Sequence, residues 1–132
     1  MQRRLLILYM QVGNTASYST DDWEDDINQA QIAHIDAFAL NIANNDSTIA
    51  AQLPTLFSTA GSKGFKLFFS FDYAGNGAWL QADVIALVNQ YKMEAAYYFY
   101  NGQAFVSIFE SVDNTQDWLI IIQDTSCFFI SS

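Results

Sequence analysis

In 132 residues there is one cysteine, one histidine and one proline, and five Lys/Arg stand against fourteen Asp/Glu. Each scarcity removes a class of explanation. Cys127 has no partner for an internal disulfide, and one cysteine with one histidine cannot build a Cys/His zinc site. Within "CFFI" it reads as a small buried hydrophobe. At a formal charge of −9, with no basic cluster beyond Arg3 and Arg4, the surface repels phosphate backbones, so no nucleic-acid partner is expected. No apolar run approaches the ~20 residues of a membrane-spanning helix, and no membrane partner is expected either. Neither "GxGxxG" nor "GxxxxGK[ST]" follows any apolar run, which demotes a nucleotide-dependent enzyme. The opening "MQRRLLILYM" imitates a signal peptide but closes on no small-residue cleavage site, so it reads as a first strand.

What the chain has in abundance is core material: 52% hydrophobic and 16% aromatic residues, enough for one domain over residues 1–132. The apolar residues fall in five compact runs, Leu5 to Val12, Asp36 to Ala43, Phe65 to Asp72, Ala104 to Glu110 and Cys127 to Ile130. None alternates cleanly with polar residues, which predicts strands covered on both faces and hence a parallel sheet. Between them lie amphipathic stretches. The first carries Trp23, Ile27, Ala30 and Ala33 or His34 at helical spacing, with Trp23 in the core, the "DDWEDD" acids as a solvated first turn, and Asp21 with Glu24 as an approximate cap. The second has Ser47 as cap candidate, Pro54 expected to kink or delay its start, and Gly61 and Gly64 as its stop. The third runs through Val84, Ile85, Leu87, Val88 and Tyr91, and Asp117 to Ile122 predicts a fourth, shorter helix, although "LIII" alone would read as strand. The order β-α-β-α-β-α-β-α-β leaves an open doubly wound sheet or a (β/α)8 barrel cut short. A complete barrel needs about 250 residues, so the length suggests an incomplete half barrel of about five parallel strands and four helices.

The pieces "QVGNTASYSTDDWEDDINQAQIAHIDAFALNIA", "GFKLFFSFDYAGNGAW", "ADVIALVNQY", "FVSIFES" and "DW...TSCFFI", in this order from about Gly13 to Ile130, resemble glycoside hydrolase family 71, the α-1,3-glucanases or mutanases. The resemblance implies a (β/α)8 TIM-barrel-type catalytic domain, extracellular in fungi, hydrolysing α-1,3-glucan with inversion and needing no cofactor. It also implies further strands and carboxylates beyond "CFFI", and a histidine where this chain has Tyr9.

Glycoside hydrolysis needs two carboxyl groups, held roughly 6.5–9.5 Å apart for inversion and about 5–5.5 Å for retention. Asp72 and Glu110, ending the third and fourth strands, are the candidate catalytic pair, since neighbouring strands lie about 4.8 Å apart. The plain alternatives are that Asp72 caps its loop and that Glu110 is solvated. Asn41, Tyr73, Trp79, Tyr9 and Asn14 are the candidate substrate-binding residues: Asn41 as a costly polar group late in a strand, Trp79 as a broad apolar ring for a sugar face. Asn41 reads equally as a strand-to-loop device, and Trp79 as helix packing. His34 falls at the opposite end of the strands and reads as structural. Two functions of different class follow: an α-1,3-glucan hydrolase, or a non-catalytic truncated barrel that binds glucan or self-associates as a homodimer through its open edges.

Overall fold

The computed structural model describes residues 4–109 and 115–131. Among the described residues ten strands and α-helices follow one another: β1 (Ile7–Gln11), α1 (Thr20–Ile32), β2 (Ala37–Ala43), α2 (Ser47–Lys63), β3 (Lys66–Asp72), α3 (Gln81–Tyr91), β4 (Phe99–Tyr100), β5 (Gln103–Phe109), α4 (Thr115–Thr125) and β6 (Phe128–Ser131), with a single 3-10 turn at Val12–Asn14. Five strands run parallel in the order β1-β2-β3-β5-β6, and the two-residue β4 lies antiparallel to the start of β5. That sixth strand departs from the expected count of five. Its cause is the pair Asn101 and Gly102, whose φ values of 50° and 78° are those of a two-residue hairpin turn.

Strand order never reverses, so there is no switch point of a doubly wound sheet. The helices sit on one face. Phe57 of α2 meets Phe69, Trp118 of α4 meets Phe71 and Phe129, and the loop residue Trp79 meets Phe71. Side chains alternate along a strand and register carries each face across to its neighbour. The opposite face therefore presents Tyr9, Asn41, Ser70, Asp72, Phe105, Ser107 and Ile130. This is the winding of a β/α barrel, here a partial one, with a helix-covered outside and an inner concave face. The fully covered strands β2 and β3 match the expectation of two-sided burial; β1, at an edge, is half exposed.

Local signals differ from the sequence reading at three caps. Helix α1 starts two residues earlier than Asp21–Glu24 implied, on a Ser19–Asp22 capping box: the Ser19 N–H donates to Asp22 Oδ2 at 2.8 Å and the Asp22 N–H to Ser19 Oγ at 3.3 Å. Helix α2 is capped by Asp46, not Ser47, through the Thr48 N–H at 3.0 Å. It then runs through Pro54 rather than starting after it, because Pro54 and Ala50, whose carbonyl loses its donor, both lie on the exposed face where water can bond. Gly61 is inside that helix and only Gly64, at φ 67°, ends it.

Between β3 and β5 the sheet is split at its lower end. Residues 96–98 wedge in: Leu67 N–H donates to Ala96 O, Tyr98 N–H to Leu67 O and Phe105 N–H to Tyr98 O. Direct pairing begins only at Phe69 with Val106. At the apex of the wedge the buried Tyr97 hydroxyl accepts from Phe69 N–H at 3.2 Å and donates to Phe105 O at 2.7 Å, standing in for a backbone link. Burial drives its phenol far above the ordinary tyrosine value, so it stays a neutral donor.

Candidate active site at the carboxyl ends of the strands

Asp72 is the last residue of β3, half buried, on the inner face. Its Oδ1 accepts from Ala74 N–H at 2.8 Å and Gly75 N–H at 3.0 Å, so the loop-capping alternative is realised on that atom. Oδ2 makes no hydrogen bond among the described residues, and it is the oxygen left for a ligand. A Cβ on Gly75 would lie 3.0 Å from Oδ2 and 3.7 Å from Ala43 Cβ, so glycine serves here by its lack of bulk. Gly75→Ala is expected to displace the carboxylate. The check is a thermal melt beside an amide spectrum: Tm moves by less than about 2 °C, as for a surface change, while the Ala74 and Gly75 amide resonances, whose N–H groups bond the carboxylate, shift.

Register revises the supposed symmetry of the acids. The residue opposite Asp72 on β5 is Phe109, not Glu110, and Glu110 lies outside the described residues. Beneath Asp72 a polar row crosses four strands at one level, Gln11 opposite Asn41, Asn41 opposite Ser70, and Ser70 opposite Ser107. Ser70 and Ser107 are 1% and 5% exposed, and neither hydroxyl has a partner among the described residues. Sequence reasoning passed over both because each is a single small residue inside an aromatic run. Asn41, 9% exposed, joins them on the inner face; Tyr9, 58% exposed, is on that face at the β1 edge, and Asn14 is exposed at the loop after β1. Below comes an aromatic floor, Phe68 against Phe105 edge to face at 4.7 Å and Phe105 stacked on Phe128 at 5.8 Å.

Tyr73 and Trp79 point the other way. Tyr73 packs against Trp118, ring centroids 6.3 Å apart, and Trp79 meets Phe71 edge to face at 5.1 Å while its Nε1–H donates to Ile42 O at 3.2 Å. Both are buried in the helix layer, away from Asp72. Burial pushes the Tyr73 phenol up to about 12 against the opposing effect of the nearby Trp118 indole N–H, and the hydroxyl has no hydrogen-bond partner among the described residues. An acid whose folded pKa is raised contributes stability that is intact below its unfolded value, 10.0, and lost as pH climbs toward 12. Tyr73→Phe is therefore expected to flatten the alkaline fall in Tm between those pH values, and to cost nothing at neutral pH.

The rim is fastened by two asparagines that the sequence reading did not single out. Asn44 Nδ2 donates to Ala78 O at 3.0 Å and Asn76 Nδ2 donates to Asn44 O at 2.9 Å, tying the loop after β2 to the loop after β3. His34, at φ 63° just past α1, is at the amino end of β2, remote from this rim.

Sequential parallel strands, helices on one face and a strand-end carboxylate above amide and hydroxyl side chains place the chain among β/α-barrel proteins with their site at the carboxyl ends. Residues 2–132 match glycosyl hydrolase family 71, and the chain belongs to that family. A mutanase of Penicillium rubens is 34% identical over 125 residues, covering 92% of this chain and 27% of that protein. Glucan endo-1,3-α-glucosidase of Schizosaccharomyces pombe is 33% identical over 115 residues, covering 85% and 26%. The chain thus spans about a quarter of the length of these curated relatives. Among solved structures, the family 99 endo-α-mannosidase of Bacteriodes thetaiotaomicron, in complex with bis-tris-propane, superposes with a TM-score of 0.74 over 96% of this chain and 51% of that one, at 14% identity. That likeness is one of fold.

Proposed function

We propose that this chain supplies the Asp72 half of an α-1,3-glucan hydrolase site, acting with inversion on wall glucan outside the cell. The observation that carries it is Asp72 itself. One carboxylate oxygen is fixed by two backbone donors and the other is free, above a buried polar row on the concave face. The family and the names of the two relatives supply the substrate class. In this reading Asp72 Oδ2 orients the reacting water or the sugar, Asn41 bonds a hydroxyl, Tyr9 and Asn14 flank the mouth, and Glu110 is the candidate second carboxyl. Tyr73 and Trp79 act from behind the sheet, stiffening β3 and its loop.

Reducing-sugar release from α-1,3-glucan tests this. The parent chain is expected to release sugar and Asp72→Asn to lower the rate by about 100-fold or more, the range of a lost acid/base group, with glucan pull-down retained. No release by the parent at high concentration would sink hydrolysis by this chain alone.

A second reading, self-association, is favoured by the two edges. Among the described residues β1 pairs only with β2 and β6 only with β5, and Leu8, Tyr9 and Ile130 stand exposed along these edges. A homodimer by sedimentation supports it; a monomer at micromolar concentration counts against it.

A further inference from the structure

We propose a second sugar-binding site, separate from the mouth: a cavity of about 440 Å³ on the helix side of the rim, between the first turns of α2 and α3. The proposal rests on the reading of glucan as substrate and adds a place where an outlying glucose unit of the same chain is held. Its volume is in the range of small-ligand sites.

The lining has the division that a neutral sugar needs. Ile49, Leu87 and the indole of Trp79 make an apolar wall for the C–H face of a pyranose, and Asn45, Ser47 and Asp83 stand around it with polar atoms. The walls are fixed before any ligand arrives. Trp79 is pinned by its bond to Ile42 O, and the loops on either side are tied through Asn44 and Asn76. Those bonds engage the amide N–H groups of Asn44 and Asn76 and the Trp79 N–H, whereas the side chains of Asn45, Ser47 and Asp83 make no hydrogen bond among the described residues. Rigid walls with unspent polar groups are the arrangement in which binding costs least ordering.

Charge narrows the occupant. Among the described residues no Lys, Arg or His lines the cavity, Asp46 already occupies the N-terminus of α2 through the Thr48 N–H, and the Asp83 carboxylate stands in the first turn of α3, so an anion finds no counter-charge and two like charges. A carboxylate, an amide and a hydroxyl are the usual partners of sugar hydroxyls, which both donate and accept.

The test is a titration of the isotopically labelled chain with an α-1,3-linked glucose disaccharide, followed by amide and indole N–H resonances. The Trp79 indole and the amides of Asn45, Ser47 and Asp83 are expected to shift, equally in the parent and in Asp72→Asn. The paired substitution Asn45→Gly with Asp83→Ala is expected to weaken this binding by about tenfold or more. Gly suits the Asn45 backbone, which is at φ 59°. Unmoved resonances elsewhere show that the variant is folded. Shifts confined to Asn41, Ser70 and Asp72, shifts that survive the paired substitution, or an equal response to a small amine would overturn the proposal. Shifts at Trp79 without hydrolysis in any assay would instead remove the catalytic reading and leave this site standing.

Discussion

Phe57→Ala is expected to lower the unfolding free energy by about 3–5 kcal/mol, the cost of deleting a buried aromatic ring. Phe57 is the point where α2, α3, β3 and the wedge meet. Its ring lies 4.6 Å from that of Tyr91, 5.8 Å from Phe69 and 6.1 Å from Tyr97, the last nearly parallel at 9°. Removing it opens a void that four elements would have to fill together, and a helix seated on a sheet cannot close in on four sides. Against a usual total of 5–15 kcal/mol the loss is a large fraction. Urea denaturation of parent and variant measures it; a loss below about 1.5 kcal/mol would mean that the layer repacks and that Phe57 is no keystone.

Tyr97→Phe should cost about 2–4 kcal/mol although it deletes a single oxygen, because it strands two buried backbone groups at once. The Phe69 N–H and the Phe105 carbonyl lie where the pairing of β3 with β5 begins, and the phenol bridges them. An ordinary hydrogen bond contributes only about 1 kcal/mol net, so the predicted excess is the penalty for the unmet partners. The measurement is denaturation together with amide exchange: protection at Phe69, whose N–H bonds the phenol, should fall more than at Phe71, farther along the same ladder. A loss under about 1 kcal/mol, with Phe69 still protected, would show that the two backbone groups are satisfied without the phenol.

The parallel alternation of strands and helices was legible because uninterrupted apolar runs report burial on both faces, as β2 and β3 show. Which face each residue takes was not, because that depends on register, and a slip of one residue reverses every side chain. This is why Asp72 and Glu110 looked equivalent by counting to the strand ends, while the strand pairing puts Phe109 opposite Asp72. It is also why Tyr73, one residue past Asp72, was taken as a mouth residue and is found among the helices. The serines of the polar row were hidden for the same reason: only the pairing of Ser70 with Ser107 makes a row of them. The β4–β5 hairpin had a readable signal in Asn101–Gly102, but its first strand is only Phe99–Tyr100. Such a length is beneath any periodicity. Asp72 was singled out by its position after an aromatic run, a signal that depends on chain order alone.

The wedge of residues 96–98 gives the sheet one more chain across its base than across its top. A bowl built that way tapers, broad at the amino end and narrow at the carboxyl end. Phe68, Phe105 and Phe128 line the inner face at the level of the wedge, and the row Gln11, Asn41, Ser70 and Ser107, ending on Ile130, lies one step above them. The inserted segment is thus a spacer, holding β3 and β5 apart beneath the polar row and letting them meet above it.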